Sequence, residues 1–338
     1  MQRTALVAGL AAALGLLLGG DGCVHAPSSR LPAATLAIRH PALYPETVLY
    51  DSAAGVFLVS SLRDGGIYAV DDAGRVSPRV KDPRLCSVLG IALDSPRGRL
   101  WAVNADLGVS LRPSPLGRGQ VAAVAVYAAS SGTPQAYVDL ALLVDGPHLL
   151  NGLALDEASG DAFVTDSFAP AIYRVRADGS ARVFLQSPRF AGPGINLNGL
   201  VVHPDGYLLV VKKNDGLLFK VPLSDPAAFR EVRLDRALQG ADGVMLMGGA
   251  GLAVVANQVP GASTNATFFL STTDGWESAT VARQVDAGPV YPTTSVSRDG
   301  TTFILASHLD ELLKAPAEAQ PALRREGELI PLPAATGP

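Results

Sequence analysis

The chain has 338 residues, of which 48% are hydrophobic, 17% are charged and only 6% are aromatic. This composition is typical of a folded protein and excludes a disordered chain. Lys and Arg total 27 against 31 Asp and Glu, without a run of like charge, so no nucleic-acid partner is expected. Two cysteines, Cys23 and Cys86, cannot form a disulfide framework. Because the sequence has no CxxC or HExxH motif, any metal must be held by oxygen ligands.

The amino terminus has the pattern of a bacterial secretory signal. An apolar stretch covers residues 5–18 and is followed by small residues and Cys23. A membrane span needs about 20 apolar residues, and Asp21 ends this stretch too early. Two forms of the signal stay open, a lipoprotein signal acylated at Cys23 and cleavage after Ala26. We therefore expect residues 1–26 to be removed or lipid-anchored and the protein to be exported, to the periplasm or as an outer-membrane lipoprotein.

One phrase recurs six times along the chain. The phrases begin at Thr47, Gly90, Gly152, Gly199, Gly243 and Thr294, at intervals of 43, 62, 47, 44 and 51 residues. Each contains short apolar runs bounded by Gly, Asp, Ser or Pro, which predicts short strands joined by tight turns. A β-sandwich would not require six similar phrases, whereas a repeat of about 45 residues is the signature of a propeller blade.

We therefore predict an all-β fold, a six-bladed β-propeller of four-stranded antiparallel blades over residues 40–314. The long second interval accommodates an insertion around residues 113–119. Residues 315–338 form a tail that is rich in Pro and Ala and carries no strand pattern.

The residues just before the first strand of each blade should surround one mouth of the central tunnel. In chain order they are Glu46, Leu89, Asn151, Asn198, Asp242 and Thr293. Two carboxylates and two amides from separate blades make a site of the kind that Ca²⁺ prefers, so one bound Ca²⁺ is predicted at Glu46, Asn151, Asn198 and Asp242. The alternative is that Asn-Gly and Asp-Gly are ordinary turn dipeptides here.

A second ring is predicted at the ends of the second strands. It consists of Asp64, Asn104, Asp166, Lys212, Asn257 and His308. A mouth with a cation at its floor and polar walls suits an oxygen-rich small molecule, and we expect Asp166, Lys212, Asn257 and His308 to contact it; the alternative is that they are solvated loop residues. His148, three residues before Asn151, is a candidate general base, although histidines in loops are mostly solvated or packed.

At these residues the sequence resembles the family of senescence marker protein 30, gluconolactonase and luciferin-regenerating enzyme. The resemblance rests on "YPETVLYD", "LNGLALD", "LNGLVVHPDG", "ADGVML" and "VYPTTSVSRDG", in this order between about residues 44 and 313. It implies that Glu46, Asn198 and Asp242 match the metal ligands of the lactonase branch and that Asn151 matches an additional asparagine near the metal. It also implies hydrolysis of lactones or related esters, with Asp242 as the candidate base or nucleophile.

The chain departs from this family in its substrate-binding residues. The lactonase branch has an arginine where this chain has Leu149, and related paraoxonases have a histidine where it has Leu89. Two hypotheses follow. One is an exported calcium-dependent hydrolase of lactones or esters, and the other is a non-catalytic exported propeller that binds a ligand or partner and keeps a structural calcium.

Overall fold

The repeats form six antiparallel sheets in the computed structural model of the protein, which describes residues 34–176, 178–258 and 265–334. The strands are β1 (Leu36–Ile38), β2 (Val48–Asp51), β3 (Val56–Ser60), β4 (Gly66–Val70), β5 (Val76–Lys81), β6 (Ser87–Asp94), β7 (Arg99–Ala105), β8 (Ala122–Ala128), β9 (Pro134–Asp139), β10 (Leu150–Leu155), β11 (Ala162–Asp166), β12 (Ala171–Val175), β13 (Ala181–Gln186), β14 (Leu197–His203), β15 (Tyr207–Lys212), β16 (Leu217–Pro222), β17 (Arg230–Glu231), β18 (Arg233–Leu234), β19 (Ala241–Leu246), β20 (Gly251–Ala256), β21 (Ala266–Ser271), β22 (Ser278–Asp286), β23 (Pro292–Arg298), β24 (Thr301–Ala306) and β25 (Gly327–Pro331). The helices are α1 (Leu309–Lys314) and the 3-10 turns Ser95–Arg97, Pro188–Phe190, Pro226–Ala228 and Gln320–Ala322. The predicted signal, residues 1–26, lies outside the described residues.

The sheets are the blades of a six-bladed β-propeller, which confirms the predicted fold. Blade one is β2 to β5, blade two β6 to β9, blade three β10 to β13 and blade four β14 to β17. Blade five is β19 to β22, and the two-residue strand β18 pairs with β22 in parallel at its outer edge. Apart from β18, neighbouring strands of each blade pair antiparallel, and the predicted short turns join most of them. Longer segments connect β7 to β8 and β24 to β25.

The sixth blade joins both ends of the described chain. Its order is β23, β24, β25 and β1, so an early strand pairs with the last one, Leu36 opposite Leu329. The propeller therefore extends beyond both limits of the predicted range, 40–314, and the predicted tail contributes β25. The strand pattern was missed because "GELIP" is a short apolar run among prolines and alanines.

The core lies between successive blades. Strands β4, β7 and β11, which occupy interior positions in their blades, are buried almost throughout because each packs against the blades on both of its faces. Strands that are buried on both faces have continuous apolar sequences, without the alternation of apolar and polar residues that a half-exposed strand shows. Between blades two and three, for example, Trp101 and Val124 pack in one cluster with Val164 and Tyr173.

In the part of the chain that the structure describes, no helix has the length and hydropathy that crossing a bilayer requires.

Candidate functional site

The six ring residues lie where the inner strand of each blade begins. In blades two to six the pairing of this strand with its neighbour shifts register at the ring residue, as between Leu150 and Leu153 or between Ala241 and Val244. A bulge leaves residues of one strand unpaired and redirects their side chains. The Asn-Gly and Asp-Gly dipeptides are therefore parts of strands, and the turn interpretation does not apply to them.

A glycine follows the ring residue in four blades because the next blade approaches it closely. A Cβ at these positions would lie 2.3 to 2.6 Å from a backbone carbonyl oxygen of the next ring residue, in the pairs Gly90 with Asn151, Gly152 with Asn198, Gly199 with Asp242, and Gly243 with Thr293. No side chain can be placed at that distance from a carbonyl oxygen without moving the backbone. The glycines allow neighbouring inner strands to approach, and so they bring the ring residues together.

The four predicted ligands line one cavity at a mouth of the tunnel. Glu46, Asn151, Asn198 and Asp242 contribute to its surface, and their exposed fractions are only 3 to 6%. Glu46, Asn151 and Asn198 also line the tunnel on the other side of the ring. The ring is thus a polar floor between the mouth cavity and the tunnel.

The wall of the mouth cavity is apolar. It is formed by the side chains of Leu62, Leu89, Leu107, Leu149, Ile195, Tyr291, Leu309 and Leu313. Leu89 and Leu149, at which the sequence departs from the family that it resembles, belong to this wall. The cavity therefore combines a floor of charged and amide groups with walls that offer few polar contacts.

Only one of the two carboxylate oxygens of Asp242 accepts hydrogen bonds from the described residues. Its Oδ2 atom accepts a hydrogen bond from Lys213 Nζ, 2.8 Å away, and another from Asn257 Nδ2. Its Oδ1 atom is buried and has no hydrogen-bond partner among the described residues. A buried carboxylate oxygen without a partner is costly. This oxygen is therefore suited to a ligand that enters the cavity.

Glu46 is the second carboxyl group of the floor. Its Oε2 accepts a hydrogen bond of 2.6 Å from Thr47 Oγ1. Burial, with repulsion from Asp242 as the second cause, raises the pKa of Glu46 to about 8. Two carboxyl groups in one buried site disfavour simultaneous ionisation unless a cation accompanies them.

The donor set fits a hard cation such as Ca²⁺. Asn151 Nδ2 donates to Ser167 Oγ at 3.0 Å, which leaves its Oδ1 for a ligand. Together with the unpartnered Oδ1 of Asp242 and the carboxyl of Glu46, this gives oxygen ligands of the type that Ca²⁺ binds. Nowhere in the described ranges do three or more His, Cys, Asp or Glu residues cluster as a metal site, so carboxylates alone do not form one.

The residues that we predicted as a general base and a substrate contact in blade three form a closed pair. His148 Nδ1 lies 2.7 Å from Asp166 Oδ2, and its Nε2 lies 3.1 Å from the carbonyl oxygen of Ala141. Asp166 is fully buried, and its Oδ1 accepts the backbone N–H of Leu149. The hydrogen bond to Asp166 raises the pKa of His148. Neither residue lines the mouth cavity, and both ring nitrogens are engaged, so the pair anchors the loop before β10.

The other predicted substrate contacts are also directed elsewhere. Lys212 Nζ is paired with Asp215 at 2.7 Å, and His308 is buried beside Arg325. Neither lines the mouth cavity. Asn257 reaches the site indirectly, because it bonds to Asp242 and not to the cavity surface.

Lys213 is the site residue that our sequence analysis missed. It lines the mouth cavity, one residue beyond the predicted Lys212. Successive residues of a strand point to opposite faces, so an error of one position exchanges the side chains that reach the site. The residues directly after the second strands are Ser61, Asp106, Ser167, Lys213, Asn257 and Ser307. A comparison of the residues directly after the six second strands would have shown that Lys213 is the only cationic residue among them.

Comparisons with known proteins show the fold. No protein-family model and no curated protein matches the sequence. The allergen Mala s 1 of Malassezia sympodialis superimposes with a TM-score of 0.70 at 17% identity, covering 90% of this chain and 97% of that one. Regucalcin of Agrobacterium tumefaciens, described as a calcium-binding protein, superimposes with a TM-score of 0.61 at 15% identity, covering 89% of this chain and 94% of that one. A proposed gluconolactonase superimposes with a TM-score of 0.55 at 16% identity, covering 91% of this chain and 95% of that one. The chain is thus similar in fold to gluconolactonase-like and regucalcin-like propellers.

Proposed function

We propose that the protein hydrolyses lactones or related esters at the mouth of the tunnel. The observation that carries this proposal is the convergence of Glu46, Asn151, Asn198 and Asp242, from four blades, on one buried cavity. A largely apolar lining with a few convergent polar groups is the lining usually found in small-molecule sites. The fold similarity to regucalcin and to a proposed gluconolactonase is consistent with this function.

The proposal includes one Ca²⁺ held by Glu46, Asn151, Asn198 and Asp242. When bound, the ion would supply Lewis-acid polarisation of the substrate carbonyl. The carboxylate of Asp242 is the candidate base: its Oδ1, which has no hydrogen-bond partner among the described residues, would contact both the ion and an attacking water beside it. Lys213 and Asn257 fix the orientation of this carboxylate through its Oδ2.

The apolar wall changes the expected substrate. An oxygen-rich molecule was expected because Asp166, Lys212 and His308 were placed around the mouth, and the structure directs these side chains elsewhere. Leu89, Leu149 and the other wall residues instead favour an ester or lactone with an apolar substituent. We therefore propose that aliphatic lactones and acyl esters are better substrates than sugar lactones.

A hydrolysis screen tests the proposal. Aliphatic lactones, short acyl esters and a sugar lactone are offered to the purified protein with Ca²⁺ and again with a chelator. We expect calcium-dependent turnover of the apolar substrates, which Asp242→Asn abolishes. Asp215→Asn, which changes an aspartate paired with Lys212 outside the cavity, is the matched control and should retain activity. Absence of turnover, together with a calcium-dependent melting temperature, would favour the non-catalytic binding protein with a structural calcium.

The proposal also places the protein outside the cytoplasm, on the basis of the signal pattern in residues 1–26. The mass of the amino-terminal peptide from membrane and soluble fractions of a bacterial host distinguishes the two forms. Acylation would give a lipid-modified Cys23, and ordinary cleavage would give an amino terminus after Ala26. An unprocessed amino terminus would contradict export by either route.

A further inference from the structure

The ammonium group of Lys213 is built into the floor of the cavity. Its side chain is 5% exposed, and its Nζ lies 2.8 Å from Asp242 Oδ2 and 3.5 Å from the carbonyl oxygen of Gly240. It also donates to Oδ1 of Asn257. An ammonium group has three N–H donors, so these three acceptors satisfy it completely. A lysine held in this way is a fixed part of the site.

The position of Lys213 is enforced by the groups around it. Its Nζ lies 5.9 Å from the centre of the Tyr291 ring, which belongs to the cavity wall. Asn257 contacts both partners of the ion pair, because its Oδ1 accepts from Lys213 Nζ and its Nδ2 donates to Asp242 Oδ2. The same Nδ2 donates to the carbonyl oxygen of Pro292, which fixes the orientation of the amide. A charged group that is desolvated and held by several hydrogen bonds does not swing out of its site without leaving them unpaired.

Lys213 alters the charge that the floor presents to a metal ion. The oxygen ligands contribute two carboxyl groups, Glu46 and Asp242, and the ammonium is in contact with one of them. The affinity of a calcium site depends on the number of negatively charged ligands and on the rigidity of the site. A fixed positive charge beside Asp242 both compensates one ligand charge and repels a divalent cation bound to the other oxygen of the same carboxylate.

We infer that Lys213 acts as a resident cation of this centre, which stabilises its carboxylates in the absence of metal and lowers its affinity for Ca²⁺. The inference rests on the calcium part of the proposed function and not on hydrolysis. The charge is specific to blade four, since the position after the second strand is occupied by Ser61, Ser167 and Ser307 in three other blades. A serine there carries no charge that would compete with a metal.

Calorimetric titration with CaCl₂ tests the inference. Lys213→Met keeps most of the length of the side chain and removes its charge. We expect this variant to bind Ca²⁺ at least about tenfold more tightly than the unmodified protein, because the repulsion at Asp242 is gone. Lys212→Met is the matched control: it removes the neighbouring buried lysine, which is paired with Asp215, and should leave the affinity within about twofold of the original.

The melting temperature gives a second measurement. In chelator, the melting temperature of Lys213→Met should lie below that of the unmodified protein, because Asp242 has lost the cation that pairs with it. Added Ca²⁺ should raise the melting temperature of the variant by more than it raises that of the unmodified protein. Lys213→Gln, which keeps hydrogen-bonding capacity, serves if the methionine variant does not fold without metal. Folding that requires Ca²⁺ would support the inference.

Three results would overturn the inference. The first is equal calcium affinity in the unmodified protein and in Lys213→Met. The second is the absence of any calcium binding in either protein. The third is failure of both Lys213 variants to fold at saturating Ca²⁺, because the ion should then replace the missing charge. None of these results is read from turnover. The first and third leave the proposed function standing, whereas the second overturns its calcium part together with the inference.

Discussion

Gly199 lies so close to the backbone of Asp242 that a Cβ on residue 199 would be 2.3 Å from the carbonyl oxygen of Asp242. This contact joins the inner strands of blades four and five at the point where each contributes a side chain to the cavity floor. The geometry of the candidate site therefore depends on the absence of a side chain at residue 199.

Replacing Gly199 by alanine should strain this junction. We expect Gly199→Ala to lower the free energy of unfolding by about 2–3 kcal/mol, because the backbone of one blade must move. Urea denaturation measures the effect. Gly249→Ala is the control, since a Cβ there would be no closer than 3.7 Å to its neighbour and residue 249 is exposed. Equal stability of the two variants would contradict the role of the close approach.

The raised pKa of Glu46 predicts a pH dependence of stability. Between its ordinary value of 4.5 and about 8, the folded protein retains a proton on Glu46 that the unfolded chain has lost. The free energy of unfolding of the metal-free protein should therefore fall as pH rises through this range, by up to about 4 kcal/mol. Glu46→Gln should flatten the dependence, and the exposed Glu318→Gln should leave it unchanged. If the free energy of unfolding of the unmodified protein in chelator did not change with pH over this range, the raised pKa of Glu46 would be contradicted.

His148 should prove to be structural. Replacement by alanine leaves Asp166 buried without its ring partner, and we expect a loss of about 3 kcal/mol in the free energy of unfolding. Because His148 does not line the mouth cavity, kcat for the proposed hydrolysis should stay within about twofold of the value for the unmodified protein. A loss of turnover without a loss of stability would instead support the general base that the sequence suggested.

Strand β25 should be essential for closing the circle of six blades. Leu329 is fully buried and lies opposite both Leu36 and Leu305. Leu329→Ala should destabilise the protein by about 2–5 kcal/mol through the cavity that it leaves. The exposed Glu318, also in the predicted tail, can be changed to alanine with little effect. Thermal melting compares the two, and similar melting temperatures would contradict this prediction.

The fold was predictable because every blade repeats one arrangement of apolar runs and turns. The four oxygen donors were predictable for the same reason, since residues at equal phase in a repeat occupy equivalent places around the axis. Strand β25 was missed because strand pairing in the last blade is a contact between distant parts of the chain. Lys213 was missed because the second ring was placed at Lys212, the last residue of β15, whereas the side chain that lines the cavity belongs to the next residue. A one-residue shift along a strand exchanges its faces.

The union of β1 and β25 in one sheet affects how the protein is made. Strands β1 and β25 lie at opposite ends of the six blades in the sequence, so the sixth blade cannot be completed until the strands of the other five blades have been synthesised. Before β25 has been made, the edge of β24 that pairs with it lacks this partner, and the ring of blades remains open. Closure of the ring is therefore a late step of folding, because it joins two strands that are far apart in the sequence.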